Sequence, residues 1–188
     1  TSPWTVEIAD DAGTRTVTTR GIIIAAGARP FVPSIPGIEE TGYLTSDTVW
    51  SLRALPKRLV VLGGGPIGCE LTQCFARLGA EVTQVEMLPR IMMREDPEIS
   101  EMVLHKFRSE GISVLLSHKA QRCAVENGEK VLYCVAGGNT VRIPFDALLC
   151  AVGRVANTTG YGLEELGIPV TRSRTVEVNE FMQTKYPN

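Results

Sequence analysis

The stretch RLVVLGGGPIGCELTQCFARLGAEVTQVE, residues 58–86, divides into a strand, a glycine-rich turn, a helix and a second strand that stops on an acid. Leu59 to Leu62 form a short apolar run containing valines, the pattern of a strand buried on both faces of a parallel sheet. Gly63, Gly65 and Gly68 then fit G-x-G-x-x-G. In that motif the first glycine allows a sharp turn, the second lets a pyrophosphate approach bare backbone, and the third lets helix and strand pack closely. The helix N-terminus adds unpaired N–H groups and about half a positive charge, a setting suited to phosphates. Ile67, Leu71, Cys74, Phe75 and Leu78 recur at helical spacing and predict the face packed on the sheet; Gly79 stands where a C-terminal cap belongs. Glu86 follows Gly68 by 18 residues, near the roughly 20-residue spacing of an acid that accepts hydrogen bonds from a ribose. A plain strand, turn and helix would explain the glycines alone; the order of elements and the placed acid favour a dinucleotide-binding unit. Because a carboxylate repels a 2′-phosphate, Glu86 predicts NADH in preference to NADPH, although Arg90 and Arg94 lie just downstream and could attract a phosphate.

The 188 residues, 44% hydrophobic, suffice for one large domain or for a domain with fragments of another. A net charge of −2 without a basic cluster speaks against nucleic acid and anionic membrane as partners, and the apolar runs are only strand-length. No initiator Met and no signal-peptide pattern are present, which predicts a chain excised from something longer. Cys69, Cys74, Cys123, Cys134 and Cys150 are odd in number and lack metal-like spacing, which suits a reducing cytoplasm. His105 and His118 show no catalytic or metal spacing, so no metal site is expected.

In chain order, residues 4–24 read as a hairpin turning at Asp11 to Gly13 and feeding a buried strand at Ile22 to Ile24. The proline-rich stretch 25–38 reads as a crossover into another domain. Ser46 or Asp47 predicts the cap of a short helix through Leu52. Beyond Glu86, Asp96-Pro97-Glu98 opens a helix with an apolar face of Ile99, Met102, Val103 and Phe107 and a stop at Gly111; its methionines read as core filler. Residues 112–116 predict a third buried strand. Residues 119–145 alternate around turns at Asn127-Gly128 and Gly137-Gly138-Asn139, an antiparallel meander, and 146–152 a last buried strand. The chain also echoes itself: a meander precedes RGIIIAAGARP, and again FDALLCAVGRV, each ending a strand on Ala-x-Gly. That suggests two copies of one nucleotide-binding architecture, the first present only as its tail.

Four stretches, IIIAAGARPFVPSIPG (22–37), GGGPIGCEL (63–71), REDPEISEMVLHKFRSEGI (94–112) and LLCAVGRVANT (148–158), resemble the pyridine nucleotide-disulfide oxidoreductases, flavoproteins such as dihydrolipoamide dehydrogenase, glutathione reductase and mercuric reductase. The resemblance covers nearly the whole chain. It implies an α/β fold, a three-layer Rossmann-like FAD/NAD(P)-binding domain with a parallel sheet and an antiparallel β-meander. Residues 1–39 would be the C-terminal part of a split FAD-binding domain, 40–153 the NAD-binding domain, and 154–188 the returning, incomplete segment of the FAD-binding domain. The function implied is to receive NADH and pass hydride to FAD and on to a disulfide or similar acceptor. Gly63, Gly64, Gly65, Pro66, Ile67, Gly68, Cys69 and Glu70 match the NAD turn, and Glu86 the ribose acid. Ala120 and Gly153 match positions along the adenosine-to-nicotinamide path. Ala26, Gly27 and Ala28 match the flavin contact, with Ala26 in place of the usual threonine. Leu88 stands where NADPH-using members commonly carry arginine, and Pro66 where some carry a tyrosine over the flavin. Glu70 resembles the family's glutamate that pairs with a lysine near the flavin, or else is simply an acid in a first helical turn.

No catalytic residue is assigned, because the family's FAD motifs, redox cysteine pair and dimerisation domain with its histidine have no match here. Cys69 and Cys74 share the C-x-x-x-x-C spacing of the redox pair, but on a helix they lie roughly 8–9 Å apart and face different directions. The isolated chain is therefore expected to bind cofactor without turnover, with the FAD and dimerisation domains of a full-length homodimer as its partners. Two alternatives remain: a flavoprotein NADH oxidase or ferredoxin-reductase-like enzyme without a redox disulfide, and a non-catalytic NADH-sensing module.

Overall fold

A computed structural model describes Ser2 and residues 4–187. The chain divides into two compact units, one comprising residues 30–154 and the other the residues up to Arg29 together with those from Val155 onward.

In the larger unit, β4 (Leu44–Thr45), β5 (Arg58–Leu62), β6 (Glu81–Val85), β7 (Ser113–Leu115) and β11 (Ala147–Cys150) make a five-stranded sheet in the order β4-β11-β5-β6-β7. Every pairing in it is parallel. The alternation of β5 explains its run of apolar residues. Val60 and Leu62 join one core with Leu148, Cys150, Leu132 and Phe145, while Leu59 and Val61 join another with Leu71, Val82 and Leu149. The first face is covered by the antiparallel meander β8 (Lys119–Glu126), β9 (Glu129–Ala136) and β10 (Asn139–Phe145). The second is covered by α2 (Pro66–Arg77), against which α3 (Pro97–Ser109) packs through Phe107, Ile91 and Cys69. The expected three layers are thus present. Asn127 and Gly128, and Gly137 and Gly138, all have positive φ, the conformation a tight two-residue hairpin requires. A four-residue helix, α1 (Ile38–Thr41), precedes β4; the sequence pattern does not reveal it, since one helical turn has no periodicity.

Both long helices start on proline and end in the same closure. In α2, Gly79 N–H donates to Ala76 O (3.0 Å) and Ala80 N–H to Phe75 O (3.0 Å); in α3, Gly111 N–H donates to Arg108 O (3.1 Å) and Ile112 N–H to Phe107 O (3.0 Å). These are paired Schellman bonds, for which glycine at positive φ is the favoured residue.

Several expectations need correction. On α2 the buried residues are Gly68, Cys69, Leu71 and Thr72, while Cys74 and Leu78 are exposed; the helix is rotated so that Cys69 and Thr72 face inward. On α3 the inner face is Ser100, Val103, Leu104 and Phe107, and Ile99 and Met102 are exposed, as are Met87 and Met93, so of the methionines in this region only Met92, packed against Cys69, Ile91 and Phe107, serves as core filler. Asp96 occupies the N-cap position of α3 without a side-chain cap bond. The short helix expected near residue 50 is a 3-10 turn, Val49–Ser51, capped in position by Thr48; Ser46 and Asp47 instead accept hydrogen bonds from Arg154 Nη1 at 3.0 and 3.1 Å. β7 is a half-buried edge strand.

In the smaller unit, β1 (Thr5–Asp10) and β2 (Gly13–Thr18) form the expected hairpin, and β3 (Ala28–Pro30) pairs with β12 (Arg154–Ala156) where the chain passes between units. Ile22 to Ile24 do not form a buried strand: Ile23 is 93% exposed. Among the described residues no strand lies alongside to pair their backbone groups, and an apolar run becomes a strand only with such a neighbour.

Candidate functional site

The carboxyl end of β5 is where the sheet changes direction: its neighbour β6 follows through α2, whereas its other neighbour, β11, arrives from the far side of the meander. Clefts in open parallel sheets form at such switch points, and here a cleft of about 1020 Å³ opens, lined among others by Gly63–Ile67, Glu86, Arg90, Arg94, His118, Ala120, Gly153 and Arg154.

The three motif glycines have different reasons to be glycine. Gly63 has φ +107°, and a Cβ there would strike the Ala151 carbonyl. A Cβ on Gly68 would strike the Gly63 carbonyl, so the third glycine closes the turn on itself. Gly65 has ordinary extended backbone, φ −76° and ψ 178°, and a Cβ there would meet open space. Nothing inside the protein requires glycine at 65, whereas a group approaching from the cleft would. Among the described residues no protein acceptor meets the N–H groups of Gly65, Ile67 and Gly68, the orphan donors of a helix start. These features fit an anionic group at the turn.

Glu86 stands beside them, held rather than free. Its Oε2 accepts Gly64 N–H at 2.6 Å and its Oε1 accepts Leu88 N–H at 2.7 Å. Each oxygen keeps a lone pair that can accept a further hydrogen bond. Arg90 and Arg94 line the same cleft, and Arg90 Nη2 donates to Met93 O at 3.2 Å. His118 Nδ1 lies 2.6 Å from Leu116 O, a carbonyl that can only accept, so Nδ1 is the donor.

Of the residues singled out by sequence, Gly63, Gly64, Gly65, Pro66, Ile67, Glu86, Ala120 and Gly153 come together in this cleft. Gly68 and Cys69 lie buried under the turn, and Glu70 is exposed but is the fifth residue of α2, beyond the first turn in which it was expected. Ala26 and Gly27 belong to the smaller unit, where Asn157 pins them: its Nδ2 donates to Ala26 O (3.0 Å) and its N–H to Gly27 O (2.9 Å). Cys69 is buried and Cys74 exposed, both free thiols, consistent with rejecting them as a disulfide pair. Sequence reasoning missed Asn157 and Gln84; for Gln84 a signal existed, a polar side chain two residues from Val82, at the position where strand alternation repeats the inward face.

The pyridine nucleotide-disulphide oxidoreductase family matches residues 3–188. A mercuric reductase from Streptomyces lividans is 39% identical over 95% of this chain and 37% of its own length. A mitochondrial dihydrolipoyl dehydrogenase from Dictyostelium discoideum is 36% identical over 100% of this chain and 40% of its own. The chain belongs to this family. The flavoprotein disulfide reductase RclA from Escherichia coli, induced by HOCl, superimposes with a TM-score of 0.84 at 28% identity, covering 99% of this chain and 41% of that one. An NAD-dependent persulfide reductase from A. fulgidus superimposes with a TM-score of 0.80 at 25% identity. The chain therefore carries the Rossmann-like α/β fold of flavin-dependent, pyridine nucleotide-using oxidoreductases while spanning 37% and 40% of the lengths of the two curated relatives. Among the described residues no helix is long and apolar enough to cross a membrane, and no group of three or more His, Cys, Asp or Glu could hold a metal ion.

Proposed function

We propose that this chain binds NADH and delivers its hydride to FAD within a larger oxidoreductase. The observation that carries the reading is the pairing of an open, glycine-lined helix start with a carboxylate fixed beside it. Gly65 and Ile67, which line the cleft, present N–H groups to a pyrophosphate, and Glu86, tied to Gly64, presents lone pairs to the adenosine ribose. Residues 40–153 form the nucleotide domain in this reading, and 1–39 with 154–188 contribute to the flavin domain, where Ala26 to Ala28 approach FAD. When bound, NADH supplies the hydride and FAD accepts it. The protein's part is to hold the nucleotide at the strand ends and keep a 2′-phosphate away by the charge of Glu86. A dimerisation domain and a terminal disulfide-like acceptor complete the proposed full-length homodimer.

Preference for NADPH is the second reading, and it has Arg90 and Arg94 in its favour. Titration of the protein with both reduced nucleotides distinguishes the two. A tighter dissociation constant for NADH is expected. Comparable constants would overturn the role given to Glu86, and the absence of binding by either nucleotide would overturn the nucleotide reading as a whole.

A further inference from the structure

Three successive residues at the end of β6 each make one bond to the glycine turn. Val85 O accepts Gly63 N–H (2.9 Å), Glu86 Oε2 accepts Gly64 N–H (2.6 Å), and Gln84 Nε2 donates to Gly63 O (3.0 Å). The third is unexpected, because Gln84 is 0% exposed and lies two residues from Val82, which joins the apolar core against α2. An amide in such a place is costly to bury unless its groups are paired, and here only half of it is: Gln84 Oε1 has no hydrogen-bond partner among the described residues. What the side chain does accomplish is confined to the turn. Among the described residues Gln84 Nε2 is the hydrogen-bond donor that reaches the Gly63 carbonyl. It also contacts Cys69 Sγ at 3.6 Å, and that thiol in turn donates to Gly64 O at 3.5 Å. Gln84 and Cys69 thus engage the two consecutive carbonyls of the turn, Gly63 and Gly64, from the protein side. The N–H of Gly65, with no protein acceptor, is left for a ligand.

We propose that Gln84 is a positioning residue for dinucleotide binding, holding the Gly63 peptide so that the N–H groups that follow it meet the pyrophosphate. This rests on the nucleotide reading above. Without the amide, the Gly63–Gly64 peptide is held only at its N–H end, by Glu86, and its carbonyl can swing, so the donors that follow lose their common direction.

The test compares wild type, Gln84→Leu and Gln84→Glu in the protein, with NADH, ADP-ribose and adenosine as probes. Gln84→Leu is expected to weaken NADH and ADP-ribose about tenfold and to leave adenosine, which lacks the pyrophosphate, unchanged. In Gln84→Glu a neutral carboxyl can donate its O–H to Gly63 O and a carboxylate cannot. Its ADP-ribose affinity, taken relative to wild type, is therefore expected to approach wild type at low pH and fall as the buried group ionises, a pH profile that Gln84→Leu does not share. Unchanged NADH affinity in a folded Gln84→Leu would overturn the assignment. Equal losses for adenosine and ADP-ribose would also overturn it, by showing a general structural role. If Gln84→Leu does not fold, the Gln84→Glu profile decides, and a flat one overturns the proposal. Wild type that binds none of the probes would instead overturn the nucleotide reading.

Discussion

Gly63, Gly65 and Gly68 belong to one motif, but mutation should separate them. Gly65→Ala places its methyl in open space with backbone that alanine adopts freely, so thermal stability should stay at the wild-type value while NADH affinity falls roughly tenfold or more, about 1.4 kcal/mol. Gly63→Ala forces φ near +107° and drives its Cβ into the Ala151 carbonyl; the strain alone costs about 1–3 kcal/mol, visible as a lower denaturation midpoint without any ligand. The same contrast between environments governs the five thiols. Cys74 is exposed, whereas Cys69, Cys123, Cys134 and Cys150 are buried, and burial pushes Cys134 and Cys150 up to about 12. Because the thiolate is the nucleophile, a thiol reagent at neutral pH should label Cys74 rapidly in the native protein and the other four only after denaturation. Rapid native labelling of Cys134 or Cys150 would contradict the packing described.

Between elements, the pairing of α2 with α3 carries a pH dependence. Glu110, just past the end of α3, receives Arg77 Nη2 at 2.8 Å, Gln73 Nε2 at 3.0 Å and Lys106 Nζ at 3.1 Å. These donors, Arg77 foremost, hold its carboxyl at about 2. A carboxylate with a lowered pKa in the folded state stabilises above its ordinary unfolded value and loses that contribution as pH falls through the folded one. Glu110→Gln should therefore lower the melting temperature at neutral pH by a small amount, since Arg77 and Lys106 are largely exposed. The curves for wild type and variant should converge between about pH 4.5 and pH 2. A constant offset across that range would show that Glu110 acts through packing instead. On the opposite face of the sheet, Arg58 reaches Glu129 at 2.7 Å and Asp146 at 2.8 Å, and Arg142 reaches Glu129 at 2.9 Å. This tie fastens the start of β5 to the meander that covers it.

Across the molecule, protection should follow the layers. β5, β6 and β11 lie inside the parallel sheet with both faces covered, while β2 is exposed along its whole length. Hydrogen exchange should find the amides of β5, β6 and β11 the slowest and those of the β1–β2 hairpin among the fastest; the reverse order would contradict the layered core.

The order of elements from Arg58 to Glu86 is legible in the residues because its signals are local: a glycine at a forced turn, a proline at a helix start, a period of 3.6, and a count from Gly68 to Glu86. The meander is legible for the same reason, through Asn127-Gly128 and Gly137-Gly138. Burial is not local. Ile22 to Ile24 and Ser113 to Leu115 both look like buried strands, yet the first run has no strand beside it among the described residues and the second lies at a sheet edge, because pairing depends on segments distant in sequence. The faces of α2 and α3 likewise depend on their rotation against neighbours, which a broad apolar stripe leaves free and packing around Cys69, Phe107 and Ile91 settles. Spacing names Glu86; its anchoring to Gly64 and Leu88, and the reach of Gln84 under the Gly63 carbonyl, exist only once β6 lies beside β5 and the turn folds over its end.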